Sequence, residues 1–66
     1  MIEFQVNDMT CGHCAGVITK AVAEIDAAAK VEIDLPTHRV RITGTEALAE
    51  VEAAIRDAGY TPEHIA

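Results

Sequence analysis

Tryptophan is absent from this chain of 66 residues, and Phe4 and Tyr60 are its only aromatic residues. A core without large rings must be assembled from Val, Ile, Leu and Ala, which pack densely but enclose no room for a large organic substrate. A deep catalytic pocket is therefore not expected. Long apolar runs are also missing: nothing approaches the ~20 residues of a membrane-spanning helix, and Met1-Ile2-Glu3 lacks the basic opening of a signal peptide. Basic residues are few, five against eleven acidic ones, for a formal net charge of −6. Phosphate backbones and anionic membranes repel such a surface on average, and a docking partner is expected to present a basic face.

Cysteine is scarce as well. The two present, Cys11 and Cys14, enclose only two residues, so a disulfide between them would constrain almost no loop entropy and cannot be what holds the fold. The chain reads as a cytosolic protein, where thiols stay reduced and a close cysteine pair signals metal or redox chemistry. Its length suits one domain, burying about 60% of the surface that the unfolded chain exposes.

Apolar periodicity divides the chain. Ile2, Phe4 and Val6 alternate with Glu3 and Gln5, the pattern of a strand with one buried face. Asn7 to His13 has no such period and reads as a loop. From Cys14 onward Ile18, Val22 and Ile25, supported by Ala15 and Ala21, recur at helical spacing. Val31, Ile33 and Leu35, then Val40 and Ile42, alternate on either side of Pro36-Thr37-His38 and predict a hairpin. Thr43-Gly44-Thr45-Glu46 offers a helix start with either threonine as cap, Leu48, Val51, Ile55 and Ala58 form its apolar stripe, and Gly59 ends it. Tyr60-Thr61-Pro62 is a short last strand whose proline requires an edge position.

Strand, helix, strand, strand, helix, strand is the order of an α+β ferredoxin-like βαββαβ sandwich, with two helices on one face of a four-stranded antiparallel sheet. That topology brings the loop after the first strand, the hairpin tip around His38 and the turn before Tyr60 to one end. His64 lies a strand's length away.

Met9-Thr10-Cys11-Gly12-His13-Cys14 stands where a loop becomes a helix. Free backbone N–H groups and the helix dipole there favour thiolate over thiol, and Gly12 is expected to let the backbone bend without a side-chain clash. Two thiolates with no evident third protein ligand suit a soft ion of low coordination, copper(I) ahead of tetrahedral zinc. A partner's thiolate could then enter an open position and take the ion. Buried small hydrophobes are the bland alternative for the two cysteines, but Cys11 lies in a polar stretch. Met9 is expected in the core, His13 in solvent, and neither His38, read as two strands from the first, nor His64 is a ligand. Lys30, Arg39 and Arg41 read as solvent faces of strands.

The motif, the element order and the late Gly59-Tyr60 resemble the heavy-metal-associated domain family, in particular its bacterial copper chaperones of the CopZ type. The resemblance spans nearly the whole chain and implies a single such domain over residues 1–66. It implies copper ligation by Cys11 and Cys14, with Met9, Thr10, Gly12, His13 and Tyr60 around them, Met9 beneath the loop and Tyr60 shielding the ion. It further implies delivery of copper(I) to a P-type ATPase or its soluble metal-binding domain. The apo form is expected to be a monomer, and metal bridging two facing sites into a homodimer is left open. The chain departs from the family pattern at Asp8, where glycine is common, and at Ala27 and Ala28.

A carrier of this kind is not an enzyme. The same fold as the regulatory N-terminal domain of a heavy-metal ATPase is the near alternative; an initial methionine and no trailing linker favour a free-standing protein. A thiol-disulfide oxidoreductase is the alternative of a different class, opposed by the short chain and the lack of an aromatic residue before Cys11.

Overall fold

The computed structural model describes residues 1–66. Six elements follow one another: β1 (Ile2–Val6), α1 (Gly12–Ile25), β2 (Lys30–Asp34), β3 (Arg39–Thr43), α2 (Leu48–Asp57) and β4 (Pro62–His64). The strands form one antiparallel sheet in the order β2-β3-β1-β4, with both helices packed on one face, the ferredoxin-like sandwich that the element order implies.

Register follows from the alternation. Ile2 faces Ile42 and Phe4 faces Val40 across β1 and β3, while Val31 and Ile33 extend the same two rows onto β2. A slip of one residue would turn every one of these side chains to solvent. The helices answer with Ile18 and Val22 from α1 and Val51 and Ile55 from α2, and Met9 completes the buried cluster. The outward positions carry charge, and Arg41 lies between Glu3 at 3.0 Å and Glu32 at 3.7 Å. Exposed pairs of this kind add little stability but keep the open face soluble.

The structure differs from the sequence expectation in four places. Helix α1 starts at Gly12 rather than Cys14, which draws both cysteines into its first turn. Neither threonine caps α2: Thr43 ends β3, and the Thr45 hydroxyl accepts a bond from the Ala47 amide at 3.2 Å ahead of the helix, which begins at Leu48 after an uncapped Ala47. The chain first has to pass Ala28. Gly44 has φ +84°, and a Cβ there would lie 2.8 Å from the Ala28 carbonyl oxygen, so only glycine fits the crossing.

At the other end of α2, Gly59 has φ +101°, its amide bonds the Arg56 carbonyl at 3.0 Å, and the Tyr60 amide bonds the Ile55 carbonyl at 3.3 Å. This paired closure is a Schellman motif, and it explains why β4 is Pro62–His64 rather than Tyr60–Pro62: the Tyr60 amide is spent on the helix. Pro62 opens an edge strand, where a missing donor costs no ladder bond. The last departure is Ile25, which is 42% exposed because it ends α1 in the shallow outer groove beside Ala54 and Ala58.

Candidate metal centre

Cys11 is the N-cap residue of α1, with extended backbone at φ −151° and ψ 169°, and Cys14 is the third residue of the helix proper. A cap side chain and the side chain three residues later face each other across the first helical turn, the relationship that capping boxes exploit. Here it brings two free thiols together, with Cys11 Sγ and Cys14 Sγ 3.4 Å apart. Cys11 is exposed and Cys14 half-buried. No third His, Cys, Asp or Glu joins them in a cluster of metal-binding size.

The Cys14 thiol is drawn down to about 7 from an ordinary value of 9.0, first by the Tyr60 hydroxyl, then by the Thr10 backbone and the Cys11 side chain, against a smaller opposing effect of burial. Where the sequence points to the helix dipole as the source of acidity, the largest contribution thus comes from a residue 46 positions away in the chain. Tyr60 shows the same contact from its own side. Its phenol is pushed up to about 12, chiefly because the neutral hydroxyl donates to Cys14 and secondarily by burial.

The sign of this shift gives a direct expectation. A depressed thiol pKa means that the thiolate fraction of Cys14, and with it the alkylation rate, rises through about pH 7 rather than about pH 9. Tyr60→Phe removes the principal cause, so the midpoint should move upward. Peptide-resolved alkylation against pH measures both, and an unchanged midpoint in the variant would refute the Tyr60 assignment.

The remaining motif residues are placed as follows. Met9 is fully buried in the core cluster. Its thioether therefore serves packing, and Met9→Leu, which conserves volume, should cost less than about 1.5 kcal/mol and leave metal affinity at wild-type strength. Chelator competition and thermal unfolding check the two parts; loss of affinity without loss of stability would make Met9 a ligand. Thr10, Gly12 and His13 are exposed. Gly12 is not required for clearance, contrary to expectation: its φ is not positive and an added Cβ would meet nothing within 4 Å, since it opens the helix on the solvent side.

His38 also departs from expectation. It leads into β3, which pairs directly with β1, so it is one strand from the first rather than two, and its ring Nδ1 lies 2.8 Å from the Met9 carbonyl oxygen. His64 is remote, bonded through Nε2 to the Ala66 carbonyl at 2.8 Å and tilted against the Phe4 ring. Asp8, which no sequence pattern marks for a role, accepts a bond on Oδ1 from the Thr61 amide at 3.1 Å. Contacts spanning 29 and 53 residues have no local signature, although a histidine at φ +57° on a hairpin tip marks a position held in place by its surroundings.

Known proteins resemble this chain in sequence and in fold. The heavy-metal-associated domain family matches residues 3–61. The copper chaperone CopZ of Enterococcus hirae is 35% identical over 66 residues, covering 96% of each chain. Copper-transporting ATPase 1 of Rhizobium meliloti is 37% identical over 60 residues, or 88% of this chain, which spans only 7% of that much longer protein. Among solved structures, the copper chaperone Atx1 of Synechocystis PCC6803 superposes with a TM-score of 0.90 at 38% identity, covering 96% of this chain and all of that one. With the family matched over most of its length and a copper chaperone alike from end to end, this chain belongs to the heavy-metal-associated domain family.

Proposed function

We propose that this chain is a copper(I) carrier that holds the ion between Cys11 and Cys14 and yields it to a partner by ligand exchange. The observation that carries the reading is the pair of surface thiols 3.4 Å apart at a helix start. Sulfurs at that spacing can both reach an ion at the ~2.3 Å of a typical metal–thiolate bond while leaving its solvent side open. Soft sulfur donors in low number favour copper(I) over zinc, which takes four ligands. The likeness to CopZ and Atx1 over their full lengths supports copper as the cargo.

Transfer needs no change of oxidation state. An incoming thiolate forms a third metal–sulfur bond and one of the chain's own bonds breaks; a second thiolate of the partner then displaces the remaining cysteine, and the ion leaves on the partner's two sulfurs. A Cys14 that is already half ionised near pH 7 lowers the proton competition at each exchange. The chain works as a carrier, not an enzyme. We assign it to the cytosol, with residues 1–66 forming one domain, monomeric without metal and able to pair through facing sites when loaded. No helix is long and apolar enough to cross a membrane.

The natural recipient is a copper-transporting P-type ATPase or its soluble metal-binding domain. The match to a segment of Copper-transporting ATPase 1 also favours a second reading, in which these residues are themselves the metal-binding domain of such a transporter. Both readings place the ion on the same sulfurs. Anaerobic competition of copper(I) and zinc for the protein, with Cys11→Ser and Cys14→Ser as controls, tests them together: copper(I) should win, and equal or stronger retention of zinc would overturn the choice of metal.

A further inference from the structure

The stretch that delivers Cys11 to the site is short and exposed, yet it is tied at two neighbouring residues. Val6 ends β1, and the Met9 amide bonds the Val6 carbonyl at 3.1 Å, closing a turn over Asn7 and Asp8. Met9 then anchors its side chain in the core. Its carbonyl oxygen, part-buried, receives the His38 ring at 2.8 Å. Because a carbonyl only accepts, His38 Nδ1 carries the hydrogen, whichever protonation state the ring adopts. The hairpin tip is itself fixed to β1 by the Val6 amide, which bonds the His38 carbonyl at 2.7 Å. On the other flank, the Asp8 carboxylate takes the Thr61 amide at 3.1 Å, next to the residue whose hydroxyl stabilises Cys14.

From these contacts we infer that Asp8 and His38 are positioning residues for metal capture. They hold the Cys11 arm against the hairpin tip and against the Tyr60 loop, so that the two sulfurs are near one another before the ion arrives. Beyond Met9 the arm's next bond to another stretch of backbone is at the Cys11 carbonyl, which accepts the Ala15 amide at 3.2 Å and begins the helix. With either clamp gone, the arm samples other conformations, and binding must order it again at the expense of affinity. His38 adopts φ +57°, a region that L residues rarely occupy and glycine occupies freely. Its side chain is therefore kept where the backbone alone would favour glycine. The inference rests on Cys11 and Cys14 being the ligands.

Four variants separate a clamp from a merely structural residue. Asp8→Ala and His38→Gly delete the bonds, the second while relaxing the backbone; Asp8→Asn keeps an acceptor, and His38→Asn keeps a donor and tolerates the left-handed conformation. Anaerobic copper(I) competition should show the deletions binding about threefold to tenfold more weakly, the worth of one ordinary hydrogen bond, and the two asparagine variants near wild type. Amide exchange at Met9 and Thr61 should quicken in the deletions and recover in the asparagine variants, and imidazole nitrogen shifts of the wild type should show hydrogen on Nδ1. Deletions that bind copper(I) at full strength, while the Cys11→Ser and Cys14→Ser controls fail, would overturn the clamp and leave the ligands standing. Controls that also bind at full strength would overturn the ligand reading on which the clamp rests.

Discussion

Replacing either Cys11 or Cys14 with serine is expected to weaken copper(I) binding by at least two to three orders of magnitude while leaving the fold intact. A structural zinc site with four ligands is worth ~10–16 kcal/mol, or about 2.5–4 kcal/mol for each ligand. That share corresponds to roughly 10²–10³ in affinity, and a site with only two protein donors has no others to spread the loss over. The fold should not notice. Cys11 is exposed and makes no side-chain cap bond to the helix, and Cys14 only borders the core. Anaerobic competition against a chromogenic chelator, with circular dichroism on the same samples, measures both parts. Either single variant holding native affinity would show that its sulfur is not a ligand.

The second large effect concerns the platform beneath the site. Phe4 is fully buried at the centre of β1, opposite Val40 on one side and His64 on the other. Phe4→Ala should cost ~3–5 kcal/mol through lost burial and the cavity left behind. A domain of this size has only about 3–10 kcal/mol to lose, so the variant should sit at the edge of unfolding. At roughly 4–8 °C per kcal/mol for a small domain, its thermal midpoint should fall by about 12–40 °C. Phe4→Leu, which keeps most of the volume, should fall much less. A midpoint for Phe4→Ala within a few degrees of wild type would mean that the core is not the single layer described, with its one large ring at the middle.

The two effects live on different links of the chain from residues to function, and the comparison shows what one-dimensional patterns encode. Periods of two and of three to four residues mark faces, and the faces of β1, β3, α1 and α2 met as Ile2, Phe4, Val40, Ile42, Ile18, Val22, Val51 and Ile55 require. The cysteine spacing is equally local, since residues at a helix cap and three positions on must face each other wherever the helix starts. Patterns of this kind are legible because the geometry that creates them spans less than one turn.

Ends and distant contacts obey other rules. The start of α2 is delayed because Gly44 squeezes past the Ala28 carbonyl, and β4 is delayed because the Tyr60 amide closes the Schellman motif. Neither constraint has a period. The acidity of Cys14 depends on a tyrosine brought in by the loop after α2, and the clamps on Met9 and Asp8 come from a hairpin tip and from Thr61. Each joins residues that only the closed sheet makes neighbours, so the likeness of the motif to a known family could suggest Tyr60 while Asp8 and His38 stayed invisible.

X-ray absorption at the copper edge, on protein loaded anaerobically with one equivalent of copper(I), addresses the central claim most directly. The account predicts a univalent ion surrounded by sulfur, with that signal lost in the Cys11→Ser, Cys14→Ser double variant. A coordination sphere of nitrogen and oxygen, or a sulfur signal that survives the double substitution, would contradict it.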